Sequence, residues 1–332
     1  MEKLLGKNES LQIKPWQPDR PTSKGATAFH EAVVNSTWIK DILYELVNIA
    51  HSKINDGDIV VDFGAGTGTS AILLLQHVKK NIKLWLVDNS PSWLGKAYDL
   101  LNNPPKVECF LLEKKGDKYA TLSETIGEGI VDHVISANTI HLIPNIEDTF
   151  RGINLALKNG GFFTFQTGNF LRKDRPEGAL MIDDTVKFVH DIALEIVRVN
   201  PKYSAYLKGL DERIKAEEAQ RKFVFPDPRP IGLYLEALEN TGFECKSVQY
   251  IPVKIKYSDW LNFLRVKRLQ AGILPEIGGK EPNPEEEHHR DELITMGALK
   301  LFKDLKMNNP LANKEYFTIE CVYITTEKVR EA

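Results

Sequence analysis

The sequence predicts an α/β fold: a mostly parallel, doubly wound sheet with helices on both faces and added helical segments. Three observations carry this. Short apolar runs alternate with helical stretches from Ile59 to Gln166, the rhythm of a parallel sheet built from strand–helix units. A glycine-rich turn, Gly64-Ala65-Gly66-Thr67-Gly68, follows the first apolar run and opens a helix. With 332 residues, the chain is long enough for one large core carrying sizeable insertions.

The elements follow in order. Pro15, Pro18, Pro21, Trp16 and Gly25 mark an extended arm over the first thirty residues, and apolar spacing from Ala28 to Ser52 predicts a helix. Asp56-Gly57 turns into a first strand, Ile59 to Phe63, whose unbroken apolar run suits a strand covered on both faces. A helix over Thr69–Val78 leads to a second strand, Leu84 to Val87, ending at Asp88. Pro91 opens the next helix, where its missing N–H costs nothing. Strands follow at Val107–Leu112 and Val131–Ser136, then a helix over Ile146–Leu157, the turn Lys158-Asn159-Gly160-Gly161, and a strand at Phe162–Gln166.

After Gly168 the rhythm changes. Asp183–Val199 and Tyr203–Lys222 read as helices with no strand between them, and Pro230–Asn240 as another. An extended segment, Phe243–Ile255, precedes a helix capped by Ser258 or Asp259. Residues 275–290 read as a long polar loop, Asp291–Leu305 as a helix, and Tyr316–Thr325 as the last strand.

Composition excludes some classes. A net charge of −3 offers nothing to attract nucleic acid or an anionic membrane. Cys109, Cys245 and Cys321 are far apart in apolar runs and read as buried core thiols, without zinc or disulfide spacing. His288-His289-Arg290, beside Glu285-Glu286-Glu287, reads as a solvated loop, so no metal is expected. Asp211–Lys222 mixes both signs and reads as a solvated helix face. Residues Met1–Ser10 hold no signal-peptide apolar run, and the expected location is cytoplasmic.

The chemistry-bearing motif is the glycine turn. Gly64, Gly66 and Gly68 let the backbone turn tightly and a ligand lie against it, with free N–H groups of the following helix behind. Twenty residues beyond Gly68, Asp88 ends the second strand, where a carboxylate can accept from both hydroxyls of a ribose. The competing reading makes Asp88-Asn89-Ser90-Pro91 a helix-capping cluster and the glycines a plain turn. The dinucleotide fingerprint is G-x-G-x-x-G, and Thr69 stands where its third glycine belongs.

The stretches Asp62-Phe-Gly-Ala-Gly-Thr-Gly68, Val87-Asp-Asn-Ser-Pro-Ser-Trp-Leu-Gly-Lys-Ala97, Leu155-Ala-Leu-Lys-Asn-Gly-Gly161 and Leu235-Glu-Ala-Leu-Glu-Asn-Thr-Gly-Phe243 resemble motifs of the class I S-adenosylmethionine-dependent methyltransferases. Asn159 replaces the proline of that family's usual L-K-P-G-G turn. The resemblance covers roughly 55–170, 230–255 and 315–326. It implies a seven-stranded sheet with an antiparallel last strand, and S-adenosylmethionine as cofactor. Asp62, the backbone of Gly64, Ala65, Gly66 and Gly68, and Asn138 with Thr139 would hold the methionine end, and Asp88 with Asn89 the ribose. Adenine would meet Glu113, where the family usually has Asp, with Asp117 as the competing acid.

The implied architecture is an N-terminal lid over 1–54, a cofactor core over 55–168, a helical substrate cap over 169–229, and the rest of the core over 230–332 with a second insertion at about 257–314. His141 is the candidate general base; a local packing role is the alternative. Trp16 and His30, on an arm that could close over the cofactor, and Tyr203, Tyr206, Phe223 and Trp260 are candidates for the acceptor site; the last four could instead pack the insertion helices onto the sheet. The functional expectation is methyl transfer to an oxygen or nitrogen of a small-molecule metabolite. No nucleic-acid or membrane partner is expected, and a homodimer stays open. A non-catalytic sensor on the same fold is the first alternative; a nicotinamide-dependent oxidoreductase stands behind it.

Overall fold

The computed structural model describes residues 14–329. The beginning of the lid segment and the last three residues of the C-terminal one lie outside the described residues. One sheet holds seven strands: β1 Ile59–Phe63, β2 Lys83–Asp88, β3 Val107–Leu111, β4 Val131–Ala137, β5 Leu157–Thr167, β6 Phe243–Lys256 and β7 Tyr316–Lys328. Their order across the sheet is β6-β7-β5-β4-β1-β2-β3. β1 lies parallel to β2 and β4, β2 to β3 and β4 to β5, whereas β7 is antiparallel to both β5 and β6. The carboxyl ends of β1 and β4 flank the point where strand order reverses, the crevice where ligands of open α/β sheets bind.

Alternation along the strands feeds two cores. Val61 and Phe63 of β1 and Trp85 and Val87 of β2 pack with Leu122, Phe150, Ile153, Tyr234 and Leu238, from α5 Leu122–Ile126, α6 Ile146–Ala156 and α9 Ile231–Asn240. Val60, Leu84 and Leu86 face the other way, onto α2 Thr37–His51, α3 Thr69–His77 and α4 Pro91–Leu101.

A third core lies beyond the sheet. β5 pairs only with Val322–Glu327 of β7, so Tyr316–Cys321 project past it with β6 as their partner. Phe317 and Ile319 on that projection meet α7 Ile182–Val199, α10 Tyr257–Leu264, α11 Lys267–Ile273 and α12 Pro284–Asn308. Trp260 is 1% exposed, with ring centroids 5.6 Å from Trp38 and 6.3 Å from Phe317. Truncating such a side chain costs about 3–5 kcal/mol. The additions are thereby anchored at the carboxyl edge of the sheet.

Several local readings are corrected. The arm turns helical earlier than expected: α1 Lys24–Asn35 is capped by Ser23, whose hydroxyl accepts the Ala26 N–H. It breaks from α2 at Ser36, which adopts extended backbone. Tyr203 and Tyr206 lie in a 3-10 turn, Pro201–Tyr206, and α8 Leu210–Val224 starts only after Gly209, at φ +69°. Neither Ser258 nor Asp259 caps α10; Lys256 takes that place, and Asp259 accepts from the Thr37 hydroxyl at 2.6 Å. The polar loop ends early because Asn283, Pro284 and Glu286 form a capping box that starts α12, which places His288, His289 and Arg290 on a helix. Arg290 is buried there, and donates to the carbonyls of Ile277 and Gly279. Cys245 is exposed rather than buried, because it lies on β6, an edge strand.

Candidate functional site

β2 ends beside the glycine turn and pins it. Gly64 and Ala65 both donate N–H bonds to the Val87 carbonyl, at 2.8 and 3.0 Å. Gly64 sits at φ +72°, and a Cβ there would fall 2.3 Å from Thr139, so this position needs glycine for conformation and for space. The Thr139 hydroxyl lies within 3.2 Å of the Gly64 carbonyl and 3.0 Å of the Ala137 carbonyl, so the end of β4 rests on the turn. Gly68, at φ +83°, is the N-cap of α3.

Asp62, on β1, is fully buried beneath the turn. One carboxylate oxygen accepts from the Ser70 hydroxyl at 2.5 Å, and the other, Oδ1, has no hydrogen-bond partner. Burial chiefly, with the charge of Asp88, pushes its pKa up to about 7 despite the Ser70 bond. A buried acceptor left unmade is costly.

Asp88 holds the other side. Its two oxygens accept the N–H groups of Gly66 and Ser90, each at 2.8 Å. Burial pushes its pKa up, and the N–H bonds and the nearby Arg268 oppose that. Ser90 is the N-cap of α4, so capping and the placement of Asp88 are one arrangement rather than rivals. Asn89 is exposed.

His141 stands on a 3-10 turn, Ile140–Leu142, after β4. Its Nδ1 lies 3.0 Å from the Thr167 hydroxyl at the end of β5. The Thr167 hydroxyl also accepts the Asn169 N–H at 3.0 Å. Arg229 donates to the carbonyls of His141 and Ile143, at 3.2 and 2.6 Å. Burial, then the Arg229 charge, lowers the His141 pKa to about 4, so the ring is neutral at pH 7. Asn138, between β4 and this turn, adopts φ +50°, and its N–H donates to the Gln166 carbonyl at 3.1 Å.

The structure thus brings Asp62, Gly64, Ala65, Gly66, Gly68, Asp88 and Thr139 together, with His141 on the turn that follows Thr139. The remaining candidates are dispersed. Glu113 is exposed where a small hairpin, Lys114–Lys115 with Lys118–Tyr119, begins, and Asp117 is exposed in its turn. Trp16 donates its N–H to the Cys109 carbonyl at 2.7 Å and packs against Tyr98, on the far edge of the sheet by β3. His30 is buried against the glycine turn, with Nδ1 3.0 Å from the Thr67 hydroxyl. Tyr203 and Trp260 are packed into the third core, so they fill space rather than line a cavity. Tyr206 pairs its hydroxyl with His289 Nδ1 at 2.8 Å, and Phe223 is 80% exposed.

Two features escaped the sequence reading. Trp93 lies against the backbone of Gly66, 3.4 Å from where a Cβ would be, and its place in the first turn of α4 made it findable. Asp183 lies in the first turn of α7, whose Ile182 side chain comes within 3.8 Å of where a Gly168 Cβ would be. Burial, then Asp184 and Asp227, pushes the Asp183 pKa up to about 6. Nothing local in the sequence announces that.

Residues 61–163 match a family model described as a methyltransferase domain. Over this span the chain carries a methyltransferase domain. The matched span of this domain runs from β1 into β5 and contains the glycine turn, Asp88 and His141. A highly reducing polyketide synthase of Emericella nidulans is 27% identical over 138 residues, 39% of this chain. One of Aspergillus terreus is 27% identical over 115 residues, 32% of this chain. In both cases the match spans only 5% of the relative's length. Among solved structures, a candidate methyltransferase of Bacillus halodurans shares 15% identity, with 87% of this chain and 99% of that one covered, at a TM-score of 0.49. The phosphoethanolamine N-methyltransferase 2 of Haemonchus contortus shares 14% identity over 94% of this chain and 60% of that one, also at 0.49. The [4+2]-cyclase SpnF shares 12% identity over 95% of this chain and 99% of that one, at 0.49.

Among the described residues, no helix is long and apolar enough to cross a membrane. No group of three or more His, Cys, Asp or Glu among them could hold a metal ion.

Proposed function

We propose that this chain transfers the methyl group of S-adenosylmethionine to an oxygen or nitrogen of a small-molecule metabolite. The observation that carries the cofactor half is the unpartnered Oδ1 of Asp62 beneath the glycine turn, with Asp88 across it. An ammonium group such as the cofactor's would satisfy the buried acceptor and keep Asp62 ionised. Asp88 retains lone pairs beyond the two N–H bonds it accepts, enough for the two ribose hydroxyls. On this reading Asn138 and Thr139 would meet the methionine end, Asn89 the ribose, and Glu113, in the loop after β3, the adenine.

When bound, the cofactor supplies an already activated methyl group on a sulfonium. The protein's part is to align the acceptor and receive a proton. Neutral His141 can accept that proton, and Asp183, in the first turn of α7 with its pKa pushed up to about 6, is a second candidate base. The helical additions at the carboxyl edge support a small, enclosed acceptor.

Calorimetry with S-adenosylmethionine, S-adenosylhomocysteine and NAD tests the cofactor, and formation of S-adenosylhomocysteine with fractionated metabolites tests the transfer. Binding of NAD alone would overturn the reading. Tight binding of S-adenosylmethionine with no turnover on any fraction would favour a sensor.

A further inference from the structure

Helix α11 belongs to the second insertion, far in sequence from the glycine turn, yet one of its residues reaches the turn. The Arg268 guanidinium lies 4.2 Å from the centre of the Trp93 ring. Arg268 and Asp88 also act on each other's charge. The Trp93 ring itself rests on the Gly66 backbone. Phe29 of α1 approaches the same ring at 4.3 Å and continues to Phe263 of α10 at 6.3 Å. Around them, Ser23 meets Ser92 at 2.6 Å and His30 meets Thr67 at 3.0 Å. Trp93 is therefore where the N-terminal helix, the C-terminal insertion and the cofactor turn converge.

We propose that Arg268 is a positioning residue for the cofactor: stacked on Trp93, it holds α1 closed over the glycine turn. The proposal rests on the cofactor reading above. A cation stacked on an indole favours one placement of that ring, and the ring in turn seats Phe29. The guanidinium is planar, so it can stack on the indole; an ammonium offers a point charge only. The second insertion thus completes the cofactor end of the site, and α11, which packs on α7, α8 and α12, ties that end to the helices over the acceptor side.

The test uses the full chain and the variants Arg268→Ala, Arg268→Lys and Arg265→Ala. Arg265 is a surface partner of Asp291, outside the convergence, and serves as the control. Deuterium exchange of residues 24–35 is measured without ligand, and S-adenosylhomocysteine affinity by calorimetry. For Arg268→Ala the expected results are faster exchange in α1 and an affinity lowered about two- to fivefold. Arg268→Lys should recover part of the affinity and little of the exchange protection, and Arg265→Ala should match the unmodified chain in both. Unchanged α1 exchange in Arg268→Ala, or an equal loss in Arg265→Ala, would overturn the proposal. The exchange arm needs no cofactor, so failure of the unmodified chain to bind S-adenosylhomocysteine would count against the methyltransferase reading alone.

Discussion

Replacing Asp62 with Asn separates stability from binding in a way set by the buried carboxylate. In the folded chain Asp62 titrates near 7, against an ordinary value of 3.8, chiefly because burial disfavours its charge. A raised acid pKa means that the folded state holds the proton more tightly than the unfolded one. The Asp62 penalty is therefore absent below about pH 4 and grows as pH rises towards 7, beyond which it is complete. A shift of this size corresponds to about 4 kcal/mol. Asn removes that penalty and keeps an oxygen for the Ser70 hydroxyl, but leaves an amide N–H2 group buried without an acceptor, at about 1–3 kcal/mol. The variant should thus be about 1–3 kcal/mol more stable than the unmodified chain at pH 8, and about 1–3 kcal/mol less stable towards pH 4, where the ionisation penalty is gone and the amide cost remains. Urea unfolding between pH 4 and pH 8 measures it. The same variant should lose at least about tenfold in S-adenosylmethionine affinity, since it lacks the charge that answers an ammonium. A variant less stable than the unmodified chain at pH 8, or a gap that does not narrow and reverse on acidification, would refute the account of Asp62.

Other outcomes follow from the same geometry. Gly64→Ala combines a positive φ with a Cβ 2.3 Å from Thr139, so it should cost about 2–4 kcal/mol in urea unfolding and abolish cofactor binding. His141→Asn should lower kcat by about 10²–10⁴-fold with little change in S-adenosylhomocysteine affinity if the imidazole takes the proton; unchanged kcat would reduce it to packing. Because the His141 pKa is lowered to about 4, its base form is already complete by pH 6, so any rise in kcat/KM between pH 5 and 7 should disappear in Asp183→Asn instead. Deletion of residues 1–27 removes the Trp16 contact with Cys109 and the start of α1; cofactor affinity should drop, and an unchanged value would rule out a lid.

Much of the cofactor end was legible because it is local. A strand, three glycines at alternate positions and an acid ending the next strand each depend on a few neighbouring residues, and the structure places all of them at one edge. The same holds for α4, signalled by Pro91 and its Ser90 cap. The start of α12 was equally local: Asn283-Pro284-Glu285-Glu286 is a capping signature hidden in a stretch that looked merely polar. Tyr203 and Trp260 misled for another reason, since an aromatic residue reads the same in a pocket wall and in a core, and only the packing against Trp38 and Phe317 separates the two for Trp260.

The sequence by itself determined the strand–helix alternation, the glycine turn and the acid that faces it, because backbone conformation and apolar periodicity are set over spans of a few residues. Only the tertiary structure decided that Asp62 keeps an oxygen unpaired, that His141 stays neutral, and that Arg268 reaches Trp93 from an insertion 175 positions along the chain. Those properties arise from burial and from charges meeting across the fold, and no short stretch of chain contains both partners.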